Sequence, residues 1–83
     1  MKILFFARLR DALGREYLEL EDERCPPSVA DLRALIQEQA SGEFADAMAD
    51  ANVFCAVNQR VVNDDHALQA ADEVAFFPPM TGG

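Results

Sequence analysis

The distribution of hydrophobic residues predicts five β-strands. Three segments are continuously apolar, which is typical of strands that are covered on both faces. A fourth segment alternates, with Leu18 and Leu20 on one face and glutamates on the other, and this predicts a half-exposed strand paired with the first in a hairpin. A short fifth strand follows the turn residues Asn58-Gln59. The predicted strands cover residues 1–8, 16–21, 53–57, 60–62 and 73–77.

Helical periodicity is strongest after residue 28. Two prolines stop the second strand, and Ser28 followed by Asp31 resembles a capping box, which marks a helix N-terminus. The run ends at residues 41–42, and shorter helical segments are predicted at residues 43–50 and, as one turn or a tight connection, at residues 9–14. The apolar stripe of the main helix consists of Val29, Leu32 and Ile36.

This order of elements predicts an α+β fold with one sheet and the main helix on one of its faces, since the helix must bury its apolar stripe against that sheet. The two terminal strands are the most apolar, so we expect them in the sheet centre, parallel to each other. Periodicity alone gives a mixed sheet plus a helix. The proposed strand arrangement is that of the β-grasp, or ubiquitin-like, fold, with a domain at residues 1–77 and an extended, flexible tail at residues 78–83.

Length and charge exclude several classes of function. The 83 residues are enough for one small domain and too few for a two-domain enzyme. The net charge of −8 repels phosphate backbones and anionic lipids, so we expect no nucleic-acid or membrane partner. Arg8 and Arg10 interrupt the first apolar run before a signal core develops, and no run approaches a membrane span. A cytoplasmic protein is therefore expected.

The cysteines and histidines that commonly bind zinc are few and scattered in this sequence. Cys25 and Cys55 lack the spacing of a zinc or redox motif, and His66 is the single histidine. We therefore expect no metal site and two reduced thiols, with Cys55 buried in a strand, although a disulfide between them stays open.

The C-terminal tail is the main candidate for chemistry. Its prolines hold the chain extended, and its six residues reach about 20 Å, enough to enter a narrow tunnel in another protein. A terminal glycine lets an attacking group approach the carboxylate closely, because it has no Cβ. The carboxylate needs activation, most simply as an acyl adenylate formed from ATP in a partner's site, because the chain has no phosphate-binding loop. The tail consists of Pro78, Pro79, Met80, Thr81, Gly82 and Gly83.

These motifs resemble those of the small subunit of molybdopterin synthase, the MoaD family, over nearly the full length of the chain. The most specific block is Asp-Glu-Val-Ala-Phe-Phe-Pro-Pro-x-x-Gly-Gly at residues 72–83, and residues 4–7, 9–11, 56–59, 65–66 and 68 also match. The sequence departs from the family at Ala71, where relatives often have glycine, and at Met80, where a β-branched residue is common. If residue 71 needs a positive φ, alanine costs about 1 kcal/mol there.

The resemblance implies a sulfur carrier that binds no cofactor itself. An E1-like enzyme, MoeB, would adenylate Gly83 with ATP, and a sulfur donor would convert the terminus to a thiocarboxylate. The tail would then enter the active site of the large subunit, MoaE, in a heterotetramer, and the sulfur would attack cyclic pyranopterin monophosphate to build the molybdopterin dithiolene. On this basis the chain is part of an enzyme, a sulfurtransferase, only as the small subunit, because the large subunit supplies the active site.

Adjacent phenylalanines on the two central strands form a candidate partner surface. Strand alternation sends the members of each pair to opposite faces of the sheet, of which one meets the helix. The other face could bind the large subunit and the activating enzyme in turn, and the alternative is that both faces are covered within the monomer. The predicted interface residues are Phe5, Phe76 and Phe77, with Phe6 as the fourth member of the two pairs.

Three other functions remain open. A thiamine-type sulfur carrier shares the fold and the Gly-Gly end, but is typically shorter and lacks the Phe-Phe-Pro-Pro block. A ubiquitin-like modifier would join Gly83 to lysines of other proteins. A binding module with an inert tail would keep its activity without Gly82 and Gly83.

Overall fold

A computed structural model gives the fold of residues 1–79; Met80, Thr81, Gly82 and Gly83 lie outside the described residues. Within residues 1–79, five strands form one sheet, accompanied by three α-helices and a 3-10 turn. No helix of this part is long and apolar enough to cross a membrane. In chain order the elements are β1 Lys2–Phe5, α1 Arg8–Leu13, β2 Tyr17–Glu19, the 3-10 turn Asp22–Arg24, α2 Val29–Gln39, α3 Gly42–Met48, β3 Phe54–Val57, β4 Arg60–Val62 and β5 Glu73–Phe77.

The sheet has the strand order β2-β1-β5-β3-β4, with β1 and β5 parallel at its centre and every other pair antiparallel. This confirms the predicted α+β, β-grasp arrangement, including the hairpins β1–β2 and β3–β4. Both strands of the first hairpin, β1 and β2, are shorter than predicted. At β1 the reason is Ala7, whose φ of 53° turns the chain out of the strand and into α1.

The helices pack on one face of the sheet, which we call the inner face. The start of α2 confirms the predicted cap: Ser28 Oγ accepts a hydrogen bond from the Asp31 backbone N–H at 3.3 Å and donates one to Asp31 Oδ2 at 2.8 Å. A single hydrophobic core joins the helices to the inner face. Its fully buried large side chains are Phe5, Phe76, Leu9, Leu32, Val29, Val53, Val74 and Cys55.

The backbone φ angle is positive at the predicted turn, but not at Ala71, where relatives often have glycine. Asn58 and Gln59 have φ of 51° and 70°, the combination that a two-residue type I′ hairpin turn requires. Ala71 is not among the described non-glycine residues with a positive φ. The backbone cost considered for alanine at that position therefore does not arise.

Candidate functional site

The tail begins at the end of the central strand β5. Phe77 is the last residue of this strand, and Pro78 and Pro79, both half-buried, follow it. On one side, the backbone N–H of Phe6 donates to the Phe76 carbonyl at 3.2 Å, continuing the parallel pairing with β1. On the other side, Phe77 is paired with Phe54 of β3. The exit point is thus held between two neighbouring strands.

The phenylalanines on the inner face belong to the core. Phe5 and Phe76 have exposed fractions of 1% and 0%, and their rings stack at 5.8 Å between centroids. Phe44 of α3 packs edge-on against Phe5 at 5.2 Å, and the Arg33 guanidinium lies over the Phe76 ring at 5.4 Å. The prediction that Phe5 and Phe76 lie at a partner interface is therefore wrong, because α2 and α3 cover this face.

The opposite, outer face carries a stack of three aromatic rings. The ring of Phe77 lies between those of Phe6, at 4.6 Å and an interplanar angle of 2°, and Phe54, at 5.0 Å and 10°. Phe6 has an exposed fraction of 38%, and Val61 of β4, on the same face, has 69%. We call Phe6, Phe54, Phe77 and Val61 the aromatic patch. Phe77 remains a predicted interface residue.

Charged groups on the outer face lie at the end remote from the tail. Lys2 is paired in register with Glu19 of β2 and Glu73 of β5, and its Nζ lies 4.5 Å from the centroid of the Tyr17 ring. The register then places Leu4 and Ala75 between these charges and the three stacked rings. The outer face is therefore polar where β5 begins and apolar where the tail leaves.

Residues 1–79 offer little catalytic chemistry of their own. Burial raises the pKa of the Cys55 thiol to about 11, so it is not a thiolate at neutral pH. Cys25 is a half-buried free thiol, and no group of three or more metal-ligating side chains occurs in this part of the chain. The pKa of Asp72 is lowered by hydrogen bonds from the Gln69 backbone N–H and from Asn58 Nδ2, both at 2.9 Å. These contacts are structural: the one from Asn58 joins the β3–β4 turn to the residue before β5, and the one from Gln69 lies within the loop that leads into β5.

The predicted tail residues thus have two outcomes. Pro78 and Pro79 lie beside the aromatic patch at the end of β5, whereas Met80, Thr81, Gly82 and Gly83 are outside the described residues. Sequence reasoning did not single out Phe54 or Val61. Alternation along the predicted strand could have placed Phe54 on the face of the sheet opposite to that of Cys55. The contact of Phe54 with Phe77, however, depends on the β3–β5 register, which the local pattern does not contain.

Comparisons with known proteins agree with this geometry. The model of the ThiS family matches residues 3–83. The molybdopterin synthase sulfur carrier subunit of Escherichia coli (strain K12) is 43% identical over 83 residues, which cover 100% of this chain and 99% of that protein. The chain belongs to this family of sulfur carrier subunits.

Solved structures of similar fold extend the comparison. A protein from Pyrococcus furiosus matches with a TM-score of 0.71 and 29% identity, over 95% of each chain. A chain in the protein–protein complex of subunits 1 and 2 of molybdopterin-converting factor from Helicobacter pylori 26695 matches with a TM-score of 0.66, over 99% of this chain and 96% of that one. At 20% identity the second likeness shows the fold alone.

Proposed function

We propose that this protein is the sulfur carrier subunit of a molybdopterin synthase and that it carries the sulfur on the carboxyl terminus of Gly83. The observation that carries the proposal is the full-length similarity to the sulfur carrier subunit of Escherichia coli, at 43% identity. The Gly-Gly end supports it, because a terminal glycine has no Cβ beside its carboxylate. The start of the tail on a central strand also supports it, because this strand is paired on both sides.

The proposed chemistry starts with activation of the carboxylate, which is a poor electrophile. A carboxylate oxygen of Gly83 attacks the α-phosphorus of ATP in the E1-like activating enzyme, releasing pyrophosphate and leaving an acyl adenylate. Sulfide-level sulfur from a donor then displaces AMP at the carbonyl carbon and leaves a thiocarboxylate. The ATP belongs to the activating enzyme, and the carrier contributes the terminus and the surface that presents it.

The thiocarboxylate then serves as the nucleophile inside the large subunit. Its polarisable sulfur attacks a side-chain carbon of the pterin precursor, cyclic pyranopterin monophosphate, and displaces an oxygen substituent there, while the large subunit supplies acid, base and phosphate contacts. Water then hydrolyses the resulting thioester, so the sulfur stays on the pterin and Gly83 regains its carboxylate. Two carriers in turn supply the two dithiolene sulfurs, within a heterotetramer that has one carrier at each end of a large-subunit dimer. We place this reaction in the cytoplasm. The net charge of −8 complements a basic site that handles a phosphorylated pterin.

The aromatic patch is the proposed docking surface for the large subunit. It adjoins the exit of the tail, it is apolar, and it includes the strongly exposed Val61. Aromatic side chains that lose their solvent on binding commonly dominate the affinity of an interface. The activating enzyme must reach the same terminus, so we propose that it binds the same patch and that the two partners exclude each other.

Intact mass spectrometry tests the carrier function directly. The untagged protein is incubated with ATP, a sulfur donor and the cognate activating enzyme, beside a variant that lacks Gly83. We expect the wild type to gain the mass difference between one sulfur and one oxygen and the variant to stay unchanged. Adding the large subunit and the pterin precursor should then return the carrier to its original mass and yield the dithiolene.

Other outcomes identify the remaining functions. Conjugates of Gly83 with lysines of other proteins would indicate a ubiquitin-like modifier, and sulfur transfer only to a thiazole-forming enzyme would indicate a thiamine-type carrier. An unchanged mass, with an activating enzyme shown to work on another carrier, would exclude the thiocarboxylate and leave a binding module.

A further inference from the structure

We propose that Phe54 is a positioning residue, which fixes the direction in which the tail leaves β5 and so sets the rate of sulfur transfer within the bound complex. This inference rests on the proposed function and deepens it. It starts from the three-ring stack on the outer face, where Phe77 is the middle ring and Phe54 is one of its two neighbours.

The stack holds Phe77 from both sides. The rings of Phe6 and Phe54 lie 4.6 and 5.0 Å from it and nearly parallel to it, so the Phe77 ring cannot swing toward either neighbouring strand without losing a contact. On the inner face, at the preceding register position, Phe5 and Phe76 stack within the core. The last two residues of β5 are therefore fixed on both faces of the sheet.

The restraint on Phe77 passes to the residues that follow. A residue before proline is confined to extended conformations, and proline fixes its own φ near −65°. Pro78 and Pro79 have little torsional freedom, so the direction of the chain at Pro79 depends mainly on how firmly Phe77 is held.

Phe54 is the member of the three-ring stack that can be tested separately. Phe54 is paired with Phe77 across the antiparallel β3–β5 ladder, so its truncation removes one ring from the stack and leaves the backbone pairing in place. Val61 is a matched control, because it lies on the same face one strand farther out, paired with Ala56 rather than with a residue of β5. Truncating Val61 removes contact area from the patch but leaves the stack intact.

The experiment separates affinity from the rate in the complex. Thiocarboxylated wild type, Phe54→Ala, Phe54→Tyr and Val61→Ala are titrated against the large subunit, and single-turnover sulfur transfer is measured with that subunit saturating. We expect Phe54→Ala to lower the saturated rate about tenfold, because misplaced reacting groups lose rate steeply. Phe54→Tyr, which keeps the ring, should restore the rate, and Val61→Ala should weaken binding at an unchanged saturated rate.

A readout on the free carrier does not depend on sulfur chemistry. The NMR shifts of the Phe77 ring protons report the currents of the neighbouring rings, so they should move in Phe54→Ala and stay in place in Val61→Ala. If Phe54→Ala does not fold, Phe54→Leu removes the flat ring at similar volume and is expected to give the same direction of change.

Each outcome decides the proposal. A Phe54→Ala variant that binds more weakly but transfers sulfur at the wild-type saturated rate overturns positioning and leaves Phe54 as a contact residue. Failure of the tyrosine variant to restore the rate does the same. If the wild-type thiocarboxylate itself transfers no sulfur, the proposed function fails and the role of Phe54 in transfer fails with it. The ring-proton shifts alone then report whether Phe54 stacks on Phe77 in the free carrier.

Discussion

Neighbouring phenylalanines at the ends of β1 and β5 have opposite surroundings on the two faces of the sheet. On the inner face, Phe5 and Phe76 lie under α2 and α3 with almost no exposed surface. On the outer face, the Phe77 ring stacks between those of Phe6 and Phe54, and Phe6 and Phe77 remain partly open to solvent. The same residue type thus stabilises the fold on one face and forms a candidate docking surface on the other, one residue apart along each strand.

The largest expected effect is a loss of stability when a core residue of the inner face is truncated. Phe76→Ala should lower the free energy of unfolding by about 3–5 kcal/mol, because it leaves a cavity in a core that cannot collapse around it. A domain of this size has roughly that much stability in total, so the variant should be largely unfolded at 25 °C. Circular dichroism during urea titration measures this. Phe76→Leu is the control and should remain folded, and a fully stable alanine variant would contradict the assignment of Phe76 to the core.

The matching change on the outer face should affect binding more than stability. Phe77→Ala removes two ring contacts from a half-buried position, so we expect a loss of about 1 kcal/mol in unfolding free energy. We expect the Kd for the large subunit to rise about tenfold or more, as at other buried aromatic anchors. Isothermal titration calorimetry measures the affinity. An unchanged Kd with a folded variant would remove Phe77 from the interface and leave the face without a proposed partner.

The sequence predicted which phenylalanines share a face of the sheet, but not which face forms the core and which forms the candidate docking surface. Alternation correctly placed Phe5 and Phe76 on one face and Phe6 and Phe77 on the other, because it depends only on the geometry of a strand. It could not say which face the helices cover, since both faces carry phenylalanine. The wrong interface prediction for Phe5 and Phe76 follows from that missing information, which lies in the packing of α2 and α3.

Other parts of the fold follow the same division between local and long-range information. The start of α2 at Ser28 and the turn at Asn58-Gln59 were predicted correctly, because caps and turns are encoded by adjacent residues. The positive φ of Ala7 has no such signal, since alanine does not favour it. The stack of Phe54 on Phe77 joins residues far apart in the chain and depends on sheet register.

A variant that touches neither set of rings sharpens the contrast between stability and binding. Gln59→Gly at the β3–β4 turn should raise the unfolding free energy by about 0.5–1 kcal/mol, because residue 59 has a φ of 70° that glycine adopts without strain. Thermal and urea unfolding measure the gain. Its Kd for the large subunit should match the wild type, and a changed Kd would mean that affinity follows overall stability rather than the aromatic patch.

The smallest expected effect concerns the polar end of the sheet, where β5 begins. Asp72 accepts hydrogen bonds from the Gln69 backbone N–H and Asn58 Nδ2, which lower its pKa below the ordinary value of 3.8 in the folded state. Because the folded pKa is the lower one, the ionised carboxylate stabilises the fold above pH 3.8, and this contribution is lost as the pH falls below that value.

Asp72→Asn should therefore reduce the unfolding free energy at neutral pH by about 0.5 kcal/mol or less, since the group is solvent-screened. The difference from the wild type should shrink as unfolding is measured at progressively lower pH through the ordinary pKa. A difference that stays constant with pH would show that the carboxylate charge contributes nothing at this end of β5. Sulfur transfer should be unchanged throughout at neutral pH, because Asp72 lies at the opposite end of the strand from Pro78 and acts on the fold rather than on the exit of the tail.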